Sequence, residues 1–195
     1  MSSTPSFSSS MDYLLIWARR LARYGAWFGG ALILGAAGVI TVEILIRKFF
    51  SMSIGGADEL STFALAIGSA WAFSFTMLDR AHVRIESLYV IFPTRLCALL
   101  DVVAQLLFTL IIALVAWYGF KVFAGSWSMN SRTLSPLSTP LAIPQFFWAS
   151  GLIFFFLVSG LLFFRALIAL CMGDLSKVQA LIGPRTLQQE VEQES

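Results

Sequence analysis

Residues Ala142–Phe164 read AIPQFFWASGLIFFFLVSGLLFF and are apolar on every face of a helix. A helix of a soluble domain keeps a polar stripe for water, so an element apolar all round is buried in a large protein or lies in lipid. At ~1.5 Å rise per residue, ~20 such residues cross a ~30 Å hydrocarbon slab. Working outward, three more stretches repeat the pattern: Tyr24–Ile46, Glu59–Leu78 and Leu96–Phe120. The sequence predicts an all-α integral membrane protein with four transmembrane helices, made of spans at about 24–46, 59–78, 96–120 and 142–164.

Composition narrows the function classes. The chain is 58% hydrophobic and 12% charged, far below the roughly 25% charged residues of soluble domains. A net charge of +2 from scattered basic residues offers no nucleic-acid patch, so no nucleic-acid partner is expected. Cys97 and Cys171 flank separate spans without CxxC spacing, which supports neither a metal site nor a disulfide framework. The single histidine, His82, excludes a bis-His haem anchor. No nucleophile–base–oxyanion set and no phosphate-cradling glycine loop is present, so neither an enzyme nor a cofactor is expected.

Residues 1–10 are small and polar and predict a disordered N-terminus. They lack a basic n-region, and the first apolar span is too long for an h-region, so that span is expected to be an uncleaved helix. Residues 11–23 predict an interfacial basic helix: Met11, Leu14, Trp17, Ala18 and Leu21 share a stripe, with Arg19, Arg20 and Arg23 off it. A second amphipathic stripe, Ile85, Leu88, Tyr89 and Phe92, predicts another surface helix over 83–92, with Pro93 in the first turn of span three. Membrane lipids are thus expected contacts of both segments. Residues 171–195 are expected to form a cytoplasmic tail.

Basic residues set the orientation. With four spans, Arg19, Arg20, Arg23, Arg80, Arg84, Arg95, Arg165, Lys177 and Arg185 share one side, against Arg47, Lys48, Lys121 and Arg132 on the other. This places both termini in the cytoplasm. The outer loop, 122–141, carries the breakers Gly125, Asn130, Ser135-Pro136 and Thr139-Pro140.

Charges at membrane depth cost about 2.5–3.5 kcal/mol each at a helix centre, so each one needs a reason. Glu43 precedes Arg47 by one turn, the favourable order for a local ion pair; a proton-exchanging carboxylate is the alternative. Asp101, with Gln105 one turn on, is either solvated or engaged with a neighbouring helix. Asp58 and Glu59 follow Gly55-Gly56 and suit a helix N-terminus, although Glu59 could also reach a cation on another subunit. His82 beside Arg84 suits a headgroup-level hydrogen bonder. Trp71, mid-span, needs a partner for its indole N–H and is expected to face another helix. Gly25 and Gly29 form a G-x-x-x-G pair that permits close helix approach.

These landmarks have a family likeness. The chain resembles the small membrane subunit (DctQ-like) of tripartite ATP-independent periplasmic (TRAP) transporters. The likeness is carried by Arg47-Lys48-Phe49-Phe50, by GGADEL at Gly55–Leu60, by Gly68 ahead of Trp71, and by His82-Val83-Arg84-Ile85-Glu86. Pro93, Arg95, Asp101, Ser135-Pro136-Leu137, Pro144 and Gly151 extend it, so that it covers about Tyr24–Leu170, within a DctQ-like domain at 24–170. Glu86 stands where the family more often has Asp.

The resemblance implies a sodium-coupled uptake system for organic acids in the bacterial inner membrane. A periplasmic substrate-binding protein captures the acid, and a large membrane subunit carries the substrate and ion sites. The small subunit would act as a scaffold for the large one and as part of the docking surface. Gly25, Gly29, Arg47, Glu59 and Trp71 are then expected at the large-subunit interface, and Lys121 and Arg132 at the docking surface. His82, Arg84 and Glu86 are the family-motif residues. The rival readings are a self-sufficient proton-coupled transporter using Glu43 and a membrane anchor of a redox complex.

Overall fold

The computed structural model describes residues 5–53, 55–79 and 93–182. Five helices follow in order: α1 (Pro5–Phe50), α2 (Ala57–Leu78), α3 (Thr94–Ser128), α4 (Ala142–Cys171) and α5 (Leu175–Ile182). The first four are long and apolar enough to cross a membrane. Among the described residues the only pairing of β type is an isolated bridge, Arg132 with Pro140. The His82–Glu86 motif and the expected surface helix at 83–92 lie outside the described residues.

Several boundaries differ from expectation, beginning with α1, which starts at Pro5 within the stretch expected to be disordered. The 11–23 segment is helical but does not stand apart from span one: α1 runs unbroken for 46 residues, about 69 Å. Nothing between Pro5 and Phe50 forces a break, because helix-tolerant Ala, Leu and Arg carry the chain from one segment to the next. Likewise α3 continues to Ser128, so the connecting loop begins at Met129 and not at Val122. Gly125 sits within that helix, and the stop falls at Asn130, which adopts a left-handed φ of 49°.

Helix ends follow local chemistry. Pro93 is the N-cap of α3, one position earlier than expected, and its carbonyl accepts from the Leu96 and Cys97 amides. α4 stops at Gly173, whose φ of 73° lets its own N–H reach the Leu170 carbonyl and the Asp174 N–H reach that of Ala169. The chain then turns into α5, a short helix inside what the sequence marked as tail.

α1 packs along α2, α2 against α4, and α4 against α3; α5 lies across α3 and α4. The main core gathers at one end of the bundle, where Ala22, Met77, Val102, Phe155, Leu162 and Val178 bring all five helices together. Burial is uneven. The most apolar stretch of α4 is 39% buried and that of α1 only 11%, so α4 is the axis and α1 the flank.

Candidate interaction surfaces and the seams that shape them

The seam between α1 and α2 is built from absent side chains. A Cβ on Gly29 would stand 2.6 Å from the Gly68 carbonyl oxygen, and one on Gly68 would stand 2.8 Å from that of Gly29. The two backbones therefore meet directly, as small residues allow in lipid, where dispersion contacts and not water exclusion drive association. One turn away, Gly25 receives the face of Trp71, whose Cε3 lies 2.8 Å from where a Gly25 Cβ would be.

Trp71 also closes the seam with α4. Its indole N–H donates to the Phe147 carbonyl at 3.0 Å, and its ring stacks on Phe154 at 5.9 Å between centroids. Gly151 makes the approach possible, since a Cβ there would meet Trp71 Cδ1 at 2.9 Å. The expected partner helix for Trp71 is thus α4. Gly25, Gly29 and Trp71 meet within this chain and set the spacing of α1, α2 and α4.

Several polar residues of the spans are engaged inside the chain, while the buried Ser74 hydroxyl of α2 makes no hydrogen bond among the described residues. Glu43 is 3% exposed; its Oε1 accepts from Arg47 at 2.9 Å and from the Ser53 hydroxyl at 2.6 Å. The local pair expected from the spacing is present, and Ser53 adds a contact that spacing could not show. On α3, Asp101, Gln105 and Thr109 fall one turn apart and are all buried. Gln105 donates to the Ser159 carbonyl and hydroxyl at 3.3 and 3.2 Å, and Thr109 shares a 2.7 Å bond with the Ser159 hydroxyl. Asp101 is 1% exposed, so of its two expected settings the packed one holds and the solvated one does not.

At the opposite end of the bundle from the main core, α2 meets the 129–141 loop. Gly56, at φ 130°, is the N-cap and makes no side-chain cap bond. The conformation requires glycine, and a Cβ there would in addition displace the Leu137 side chain. Glu59 does not cap the helix with its side chain; the Ser135 hydroxyl donates to its carboxylate, fastening the loop over α2. Thr133 bonds the Ser135 hydroxyl at 3.0 Å and accepts from the Thr139 amide at 2.9 Å, while Arg132 donates to the Ser138 carbonyl at 3.1 Å. Asp58 stays exposed beside the positive end of the helix dipole.

Lys121, exposed on α3, lies over the Trp117 and Tyr118 rings at 5.4 and 5.7 Å. Among the described residues no group of three or more His, Cys, Asp or Glu is gathered as a metal would require. A groove of about 390 Å³, apolar except for Arg23, runs between α1 and α2 along Ala26, Trp27, Gly30, Leu34 and Phe75. Serine and threonine partners (Ser53, Thr109, Ser135, Ser159) escaped the sequence reading, because a hydroxyl in a membrane helix more often bonds its own backbone one turn back.

Glycine seams joining α1, α2 and α4, with Glu43, Gln105, Thr109 and Ser159 bonded within the chain, describe a packing subunit. The family model of the DctQ component of tripartite ATP-independent periplasmic transporters matches residues 36–169, well over half the chain. The chain belongs to the DctQ family. It is accordingly a small membrane subunit of a TRAP transporter, a multi-pass component of an assembly with partner subunits. Neither the curated proteins nor the solved structures contain a match. The matched DctQ region includes the GGADEL turn, Trp71 and the loop, whereas Gly25, Gly29, the basic start of α1 and all of α5 fall outside it.

Proposed function

We propose that this DctQ subunit is the stationary scaffold of a sodium-coupled TRAP transporter for organic acids in the bacterial inner membrane, with both termini cytoplasmic. The large membrane subunit seats on the α1–α2 flank, over the groove whose walls Gly25, Gly29 and Trp71 hold in place, with Arg47 at its outer end. The 129–141 loop, with Arg132 and the neighbouring Lys121, contributes to the surface on which the periplasmic substrate-binding protein docks. The observation that carries this reading is the combination of a thinly covered α1 with the internal bonding of Glu43, Gln105, Thr109 and Ser159. A carrier needs a substrate cage of unspent polar groups near mid-membrane. A scaffold needs only a rigid apolar flank.

Glu43, buried and bonded to Arg47 and Ser53, is a structural ion pair on this reading and not a proton carrier. The test is uptake in proteoliposomes. The large subunit with this chain and the binding protein should transport an organic acid under a sodium gradient; this chain alone should transport none. Transport by the isolated chain, lost in Glu43→Gln, would replace the scaffold by a self-sufficient carrier. For the docking surface, Lys121→Glu should slow uptake at limiting binding protein and leave it unchanged at saturation.

A further inference from the structure

One face of α1, at the end of the bundle where the main core lies, is basic and borders a hollow. Leu15, Ile16, Arg19, Arg20 and Arg23 fall on adjoining positions of that face and line a cavity of about 570 Å³. Leu181 of α5 contributes to its wall. Arg165 borders the cavity as well but already has a partner, so the open charge of the hollow is that of the three α1 arginines, all exposed. Arg19 and Arg23 stand one turn apart, where like charges repel. Arg20 lies over the Trp17 ring at 5.9 Å, a contact that steadies the guanidinium without cancelling its charge. No carboxylate among the described residues lines the cavity.

The chain itself supplies the missing charge close by. α5 ends at Ile182, one residue past Leu181, so the chain leaves that helix beside the hollow. Gly183-Pro184 follow, a turn signal, and then one basic residue, Arg185, against three acidic ones, Glu190, Glu192 and Glu194. From Ile182 to Glu190 the chain can reach about 26 Å at ~3.3 Å per residue, ample for a cavity of this size. Glu190 and Glu194 are spaced by four, as Arg19 and Arg23 are, and Leu187 and Val191 keep the same interval beside them. Those two apolar residues match the apolar part of the wall, which Leu15, Ile16 and Leu181 provide. A ligand on so short a tether needs only weak individual contacts, because its effective concentration is about millimolar. A free phosphate or a lipid headgroup lacks that advantage.

We propose that residues 187–194 fold back onto this hollow, with Glu190 and Glu194 paired to Arg19 and Arg23. The segment ties α5 to the flank helix α1 and neutralises the arginine face. It thereby withdraws those charges from acidic headgroups of the surrounding membrane, which polybasic segments otherwise attract.

Hydrogen exchange of the full chain in neutral detergent, read by mass spectrometry, tests the contact. Amides of 187–194 should exchange about three- to tenfold more slowly than in a free peptide of that sequence, the protection that two or three exposed ion pairs can give. Arg19→Glu with Arg23→Glu should bring them to the free rate. Adding Glu190→Arg with Glu194→Arg to that variant should restore the protection, and this charge-reversed chain separates loss of pairing from loss of structure. Free-peptide exchange of 187–194 in the unaltered chain would overturn the proposal, as would a charge-reversed chain that stays unprotected. So would protection that survives Arg19→Glu with Arg23→Glu, which marks structure within the segment alone, or protection that grows with protein concentration, which marks pairing between copies. Nanodiscs of phosphatidylglycerol supply the last arm: retained protection there supports the fold-back, and its loss assigns the arginines to lipid and rejects it.

Discussion

Gly29 and Gly30 are neighbours in α1 with opposite burdens. Around Gly30 a Cβ meets nothing within 4 Å, whereas at Gly29 it meets the backbone of Gly68, which cannot turn aside as a side chain can. Gly29→Ala should therefore destabilise the chain by about 1–3 kcal/mol through overpacking, and Gly30→Ala should cost nothing. Thermal unfolding in detergent micelles compares the two directly; equal midpoints would remove the backbone crossing as a source of stability. Trp71 makes a gentler case. Trp71→Phe keeps a ring against Phe154 but loses the bond to Phe147, a loss of about 0.6–1.5 kcal/mol on the same assay. That Trp71 needed a partner was legible from the sequence, since a buried indole N–H is costly to leave unmade. Which carbonyl it finds was not, because that depends on how far Gly68 and Gly151 let three helices close, and no spacing within one helix encodes a crossing between two.

Among the elements, the 129–141 loop shows how a short polar connection is held without regular structure. A chain of bonds runs from the Thr139 amide through the Thr133 hydroxyl to that of Ser135, and Glu59 of α2 anchors the last of them. Glu59→Ala should leave the four spans intact and speed amide exchange at Thr133, Ser138 and Thr139 several-fold; unchanged exchange would mean that Leu137 over Gly56 suffices to hold the loop. The spans themselves were plain in the sequence, because lipid demands apolarity on all sides and leaves no ambiguity of face. The ends were less so. α5 was hidden because its eight residues follow a glycine stop and mix polar with apolar positions. Its helical stripe, Leu175, Val178 and Ile182, becomes decisive only once α3 and α4 supply something to pack against; Val178 is fully buried there. The continuity of α1 was obscured for the opposite reason. A change from amphipathic to uniformly apolar composition suggested two pieces where the backbone had no cause to divide.

For the whole molecule, the question is why a membrane subunit leaves its longest helix so thinly covered. A span with only 11% of its apolar core buried gains little from its own chain beyond the α2 seam, and in lipid no hydrophobic force returns it to the bundle. A second membrane chain resting on the α1–α2 groove would supply the missing contacts and turn the flank into an interior. Gly30 lies in that groove and has free space above it, so Gly30→Leu fills the seat of the partner without touching the chain's own packing. The expected result is a subunit with unaltered thermal unfolding on its own and reduced co-purification with the large subunit. The same substitution should lower uptake in proteoliposomes in proportion to the complex lost, because the moving part then works against an unanchored frame. Full co-purification with Gly30→Leu would shift the contact away from this groove, and the exposed faces of α3, around Leu107, Leu114 and Tyr118, would be the next surface to fill in the same way.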